Sequence, residues 1–376
     1  MKTLVVGGGM SGLTYSILAA QNGQNVTISE HNARVGRKIA MSGNGKCNIG
    51  NLNIREACYN DSAIVRNVLS KVKIDDYLKL LSRWGIITYS DEVGRVYPVT
   101  DSANTVVDCL RFQADVAGVT IRTESTVQSV KQMADGYIVD IDGQKEKFDK
   151  VVIACGSRSQ ATETGIDLLV GKSYLTPFVP SLVPVKVVGM SGILNGIRNR
   201  AEVRLCRDGK VVGTEKGEVQ FKDYGLSGMC VFNLSAIIAR DMVRGEKHAY
   251  KFVVDVLPDI TELQLKNYIQ ANVRRGMQPL AGLVKNKLAE YIYKYAESTK
   301  SEINYLVKNL PFTFDKLLDY SMSQVTAGGV DEKYIDNKTL SLPNGTVVLG
   351  EALNVDGISG GFNLYFAAAS AMYLFM

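Results

Sequence analysis

The sequence predicts an α/β fold in which a Rossmann-like nucleotide-binding domain is split by an insertion, β-rich at first and helical afterwards. Three observations predict it. A β-run, a glycine-rich turn and a helical segment open the chain, and a second β-run follows at once. A segment of the same α/β character closes it. Between them lie a β-rich piece with period-two alternation and then a helical piece.

Taken in order, Lys2–Gly7 is a short β-run, Ser11–Asn22 has helical spacing, and Asn25–Glu30 is a second β-run. A glycine-rich loop covers Gly36–Asn51. One helix is expected over Ile64–Trp84 and another over Thr105–Ala117, ending at Gly118 as a C-cap. Strands follow at Val119–Arg122, Thr126–Lys131, Tyr137–Asp142 and Lys145–Phe148, with Asp135-Gly136 and Asp142-Gly143 as turns. Val151–Ala154 is a compact β-run ending in Cys155-Gly156. Alternation through Ala201–Phe221 predicts a hairpin turning at Asp208-Gly209, and residues 261–318 read as helical, broken near Pro279 and Pro311. Thr346–Leu349 is one more buried strand. The apolar segment Phe362–Met376 falls short of the ~20 residues of a membrane span and is expected to be a buried helix. These elements give a discontinuous nucleotide-binding domain over 1–173 and 323–376, a β-rich insert over 174–258 and a helical subdomain over 259–322.

Composition narrows the function classes. The formal charge of +5 is small, and no run of five like charges occurs, so a nucleic-acid partner is disfavoured and a small-molecule substrate is expected. No membrane association is expected. The six cysteines contain no C-x-x-C pair and there are two histidines, so no metal site and no dithiol redox pair is expected. Scattered single thiols fit a reducing cytoplasm. Oligomeric state is not written in the sequence.

The chemistry concentrates in three places. Gly7-x-Gly9-x-x-Gly12 lies between a strand and a helix. Gly7 allows the tight turn, Gly9 lets a pyrophosphate approach the backbone, and Gly12 lets helix pack on strand. Met10 and Ser11 sit at the helix N-terminus, whose free N–H groups favour phosphate. Glu30 ends the second strand, where an acid binds adenosine ribose hydroxyls, and His31 is beside it. An NAD dehydrogenase would continue with another helix. This chain instead continues Gly36-Arg37-Lys38 and then Ser42-Gly43-Asn44-Gly45-Lys46-Cys47-Asn48, glycines and cations able to wrap a pyrophosphate and ribityl chain. Later, Val127 is placed to touch adenine through its backbone, and Ala154-Cys155-Gly156 to pass close to the cofactor. The third place is the C-terminal end: Gly350-Glu351 after Val347-Val348-Leu349, then Asp356, then Gly360-Gly361-Phe362-Asn363. A strand-Gly-acid signature of this kind binds ribityl hydroxyls, and a helix beginning at Gly361 aims its dipole where negative charge collects in reduced flavin. The three together predict FAD, with NADH or NADPH as the candidate transient electron donor.

The blocks GRKIAMSGNGKCNIGN (36–51), GRVYPVTDSA (94–103), SLVPVKV (181–187), DYGLSG (223–228), TAGGV (326–330) and GEALNVDGISGGFNL (350–364) resemble one bacterial flavoprotein family. Its members include an aminoacetone oxidase and a flavin reductase of bile-acid 7-dehydroxylation. The resemblance covers nearly the whole chain. It implies a discontinuous FAD-binding domain with an inserted β-barrel-like plus helical domain. The chain departs from the pattern at Ala154-Cys155-Gly156-Ser157, where Ala-Thr-Gly-Gly is expected, and at Met229-Cys230, where Pro-Ala is commoner. Lys46 replaces an arginine and Asn354 an aspartate.

No residue announces itself as catalytic acid or base. Arg95 and Tyr97, in a loop shaped by Gly94 and Pro98, and Tyr224, next to Gly225, are the candidates for orienting substrate. Cys47 reads as a small packing residue rather than a redox thiol, because no second cysteine lies close by to resolve an intermediate. The expectation is a non-covalent flavin enzyme transferring hydride to or from a small organic substrate. Oxidase and NAD(P)H-dependent reductase both remain open. Gly189-Met190-Ser191-Gly192 lacks the glycine triplet of a second nucleotide fold. The alternative is a flavoprotein that binds or modifies RNA, with the helical insert docking the nucleic acid.

Overall fold

The computed structural model describes residues 1–161 and 165–376. It divides into two compact units, Met1–Phe178 with Val325–Met376, and Val179–Gln324. No helix among the described residues is long and apolar enough to cross a membrane.

The first unit opens with β1 (Lys2–Val6), α1 (Met10–Gln21) and β2 (Asn25–Ser29). Leu4, Val5, Val26 and Ile28 are completely buried, as expected for strands covered on both faces. The single helix expected over Ile64–Trp84 is two, α2 (Ala63–Lys71) and α3 (Ile74–Arg83). The chain is extended at Val72 and Lys73 because the Val72 carbonyl accepts the buried Tyr365 hydroxyl at 2.7 Å, and Asp76 caps the Lys73 N–H. Helix α4 (Ala103–Val116) is followed by β3 (Thr120–Arg122), an antiparallel three-stranded meander over 127–148, and β4 (Lys150–Ile153).

The second unit is a closed barrel of six strands: β5 (Val185–Val187), β6 (Arg198–Arg207), β7 (Lys210–Phe221), β8 (Gly225–Ser227), β9 (Tyr250–Asp255) and β10 (Leu310–Leu317). The expected β6–β7 hairpin turns at Asp208 and Gly209, whose φ values of +50° and +83° match a type I′ turn. Helix α5 (Met229–Val243) packs on β7. The helical stretch supplies α6 (Glu262–Arg274), α7 (Asn286–Thr299) and α8 (Ile303–Lys308). It ends sooner than expected. The residues from Leu310 form the barrel's closing strand, antiparallel to both β9 and β5. Leu310 and Phe312 are buried while Pro311 between them is not, a two-residue alternation hidden in sequence by the helices before it.

Back in the first unit, β11 (Val347–Val348) completes a five-stranded sheet in the order β11-β4-β1-β2-β3, with every recorded pairing parallel. The apolar C-terminal segment folds as α9 (Phe362–Met372), with Tyr365, Ala368, Ala369 and Ala371 fully buried. Its small residues let it pack closely against α1.

Candidate functional site

The glycine turn after β1 is tight for reasons visible atom by atom. A Cβ on Gly7 would lie 2.6 Å from the Ala154 carbonyl oxygen, and one on Gly12 would lie 2.0 Å from the Gly7 carbonyl oxygen. A Cβ on Gly9 would meet nothing within 4 Å, so that position faces open space, as approach of a pyrophosphate requires. Behind the turn, buried Glu30 accepts the Gly8 N–H at 2.8 Å through one carboxylate oxygen and the Asn32 backbone N–H at 2.9 Å through the other. The exposed His31 imidazole lies 3.3 Å from Glu30. Gly36 donates its N–H to the Gly8 carbonyl at 2.8 Å, so the second glycine segment docks directly on the first. Met10 and Ser11 are buried at the start of α1, and a Cβ on Gly350 would touch the Ser11 hydroxyl at 2.8 Å. The C-terminal signature is thus brought onto the first motif.

Lys38 is the junction of four segments. Its Nζ donates to the Ser157 carbonyl at 3.0 Å and the Ser159 hydroxyl at 2.8 Å, and pairs with Glu351 Oε2 at 3.2 Å. Glu351 Oε1 accepts the Thr326 N–H at 3.0 Å. Gly156, at φ +71°, turns its missing side chain toward this pair: a Cβ there would stand 3.5 Å from Lys38 Nζ and 3.7 Å from Glu351 Oε2. Lys38 therefore holds the strand-end loops and the acid, where the sequence suggested a phosphate cation. Among the described residues, the buried Ser157 and Thr326 hydroxyls have no hydrogen-bond partner. Buried orphan hydroxyls, an open Gly9 and a ribityl-type acid fit the donor and acceptor pattern of FAD.

The remaining loop residues divide. Gly43, Asn44 and Gly45 all have positive φ, and Ser42 donates to the Ile39 carbonyl at 2.7 Å. Arg37 is exposed. Lys46 reaches Asp101 at 3.2 Å, and Asp101 also accepts the Tyr89 hydroxyl at 2.6 Å; these two bonds, that from Tyr89 first, hold its carboxyl below the usual range. Cys47 is completely buried at φ +60°, and burial pushes its thiol up to about 11. A thiol so placed stays protonated near neutral pH and is a packing group. Asn48, with its amide nitrogen turned to the Val96 and Gly50 carbonyls, accepts the Gly361 N–H at 3.2 Å. It thereby fixes the N-terminus of α9. A Cβ on Gly361 would lie 2.1 Å from the Gly50 carbonyl oxygen. Val127 and Ala154 are buried at their strand ends, and Cys155 is half-buried next to Gly156.

Not every candidate points outward. Asn363 Nδ2 donates to the Gly357 carbonyl at 3.0 Å and its Oδ1 accepts the Gly357 N–H at 2.8 Å, so it pins the preceding loop. Phe362 packs edge-on against Tyr59, whose hydroxyl donates to the Phe362 carbonyl at 3.0 Å. Asp356 is buried, and its N–H is held by Asn60 at 3.2 Å. The Gly360 carbonyl accepts from the Asn51 amide at 2.9 Å. Arg95 is paired with Asp91 at 2.7 Å, and Tyr97 stacks on Tyr89. Tyr224 belongs to the second unit, where burial raises its hydroxyl pKa. The groups that sequence reasoning missed are Asn51, Ser157, Ser159 and Thr326. Asn51 and Thr326 fall inside the resembling blocks and Ser157 at a departure from the pattern, but none was singled out, and Ser159 carried no signal.

Among the described residues, Asp241, Glu246 and His248 come close enough to share a metal ion. Asp241 already accepts from Arg207 at 3.1 Å, from Arg244, and from the Tyr250 hydroxyl at 2.6 Å. That satisfied carboxylate belongs to an ion-pair cluster.

Compared with known proteins, the chain is 29% identical to a 3-dehydro-bile acid delta(4,6)-reductase of Clostridium scindens over 97% of this chain and 96% of that one. It is 26% identical to a ribosomal RNA dihydrouridine synthase of Escherichia coli over 98% and 95%. Among solved structures, Escherichia coli quinol fumarate reductase superposes with a TM-score of 0.49 at 12% identity, covering 100% of this chain and 69% of that one. Residues 1–374 match the HI0933-like protein Rossmann domain. With the glycine turn, the Glu30 and Glu351 acids and the split sheet within that one match, the chain belongs to the HI0933-like Rossmann family and is an FAD-dependent oxidoreductase.

Proposed function

We propose that the protein reduces a carbon–carbon double bond conjugated to a carbonyl in an organic substrate, with NADH or NADPH as electron donor. One observation carries this reading. Two full-length relatives bear names that specify different molecules but the same bond change. A delta(4,6)-reductase of a 3-dehydro-bile acid saturates alkenes conjugated to a 3-oxo group, and a dihydrouridine synthase saturates a uracil alkene next to a carbonyl. Bound FAD would supply the hydride.

The chain's own residues would bind and orient. Gly7, Gly9 and Gly12 with the N-terminus of α1 would take the pyrophosphate, Glu30 the adenosine ribose, and Glu351, held by Lys38, the ribityl hydroxyls. Gly361 and the positive end of α9 would favour a reduced, anionic flavin ring. Cys47 is kept protonated by its burial and would not act as a thiolate. The assignments to FAD atoms are tested by FAD affinity in variants of these residues.

A second reading, in which the reduced base lies in RNA, is favoured by the distribution of charge. Residues 179–324 hold 21 Lys+Arg against 15 Asp+Glu, so the whole positive excess of the chain lies in the second unit. The test is anaerobic titration of the FAD-loaded protein with NADH and NADPH, followed by a 3-oxo-Δ4 steroid or a ribosomal RNA transcript. Flavin absorbance near ~450 nm should bleach with the nicotinamide and return with the acceptor. Return with the steroid supports the small-molecule reading, and return with the transcript plus new dihydrouridine supports the RNA reading. Return only on admission of air would overturn both and make the protein an oxidase.

A further inference from the structure

On the outer wall of the barrel, α7, α8 and the strands β6, β9 and β10 enclose an open concavity of about 390 Å³. The geometry follows from strand alternation. Val203, Leu205, Phe252 and Val254 point inward and are buried, so Arg204 of β6 and Lys251 of β9, at the alternate positions, point out of the barrel. Both line the concavity, and none of its lining side chains is acidic.

The two cations are not consumed by the protein. Arg204 spends only Nη2, on the Lys308 carbonyl at 2.7 Å and the Asn309 side-chain oxygen at 3.1 Å. Among the described residues its buried Nε has no acceptor and its Nη1 makes no hydrogen bond. A guanidinium carries five N–H donors, and the two bonds it makes here both run from Nη2, so Arg204 keeps donor capacity where it lines the concavity. Lys251 is exposed and enters no ion pair among the described residues. Around them, Val253, Leu306 and Pro311 supply apolar surface, and Tyr295 and Tyr305 supply rings with polar tips.

We infer that this concavity binds an organic anion, with a carboxylate or phosphate head group at Arg204 and Lys251 and a flat apolar body against the tyrosines. The site lies wholly within the second unit. It does not depend on which double bond the flavin site reduces.

Isothermal titration of the FAD-loaded protein with naphthalene-2-carboxylate tests it, with naphthalene-2-carboxamide as the uncharged control. The carboxylate should bind with one-to-one stoichiometry and the amide at least about tenfold more weakly, the effect of losing one charge-assisted hydrogen bond. Lys251→Gln should weaken the carboxylate by about the same factor. This variant removes no side-chain hydrogen bond or ion pair among the described residues, and circular dichroism checks its fold. Arg204→Gln should weaken it further, with circular dichroism checking that the barrel survives. Displacement by inorganic phosphate would assign the head group to phosphate esters, and failure to displace would assign it to carboxylates. Equal binding of acid and amide, unchanged binding in Lys251→Gln, or no saturable binding at millimolar probe would overturn the inference.

Discussion

Replacing Lys38 by methionine keeps an unbranched stem of similar bulk as far as Cε and removes the charged Nζ. The structure sets the consequence. Three acceptors lose their donor at once: the Ser157 carbonyl, the Ser159 hydroxyl and Glu351. The side chains of Lys38 and Glu351 are 29% and 18% exposed, which lies between a surface pair, worth about 0–1 kcal/mol, and a buried pair, whose breaking costs about 3–5 kcal/mol. About 2 kcal/mol is the appropriate figure. It should lower the melting temperature of the FAD-free protein by about 4–8 °C for a unit of this size. If Glu351 contacts the ribityl chain, FAD affinity should fall by about tenfold to thirtyfold, because the carboxylate is no longer held in place. Calorimetric melting and fluorescence titration with FAD measure the two separately. A lowered melting temperature with unchanged FAD affinity would refute the cofactor half of the argument and leave Lys38 a structural clamp. No change in either would refute the clamp as well.

Other outcomes follow from the same geometry. Gly12→Ala places a methyl group 2.0 Å from the Gly7 carbonyl, so the variant should yield little folded, yellow protein on purification. Gly156→Ala meets no close atom but must hold φ +71°; it should cost about 1–2 kcal/mol of stability and weaken FAD more than Tyr59→Phe does, as titration would show. Tyr59→Phe deletes one buried hydroxyl bond to the Phe362 carbonyl and should cost about 1 kcal/mol in denaturant unfolding. Cys47 titrates near 9 when free and about 11 when folded, so its contribution is complete below pH 9 and lost as pH rises to about 11. Cys47→Ala should therefore flatten the alkaline fall in stability between those limits, by roughly 2 kcal/mol, in pH-dependent melting.

How much of this was legible in the sequence depended on whether a residue's task is local or is set by a distant partner. Gly7 and Gly12 are constrained by atoms of the same turn and of the adjoining strand end, and the spacing of three glycines was enough to place them. The helical reading of Phe362–Met376 rested on its apolar composition and on Gly360-Gly361 before it, and the helix Phe362–Met372 is there with the burial that reading implied. Lys38 and Asn363 could not be read the same way. Each is a polar residue in a cofactor-like block, and pattern alone suggested that each faces the ligand. The structure spends Lys38 on Ser157, Ser159 and Glu351, residues more than a hundred positions away, and Asn363 on a glycine six positions back.

The strand Leu310–Leu317 shows the same limit at the scale of an element. Its alternation is short and is interrupted by Asp315 and Lys316, so the break at Pro311 marked an end to the preceding helix without showing that a strand follows. Only its pairing with both β9 and β5 explains why those residues are extended, because a barrel lacking it would expose two strand edges. The helices α6, α7 and α8 are therefore a loop between two barrel strands rather than a separate appendage. An insertion tethered at both ends by barrel pairing is held more rigidly than a linker-borne domain. The concavity between its helices and the barrel wall can accordingly keep the shape that a specific anion requires.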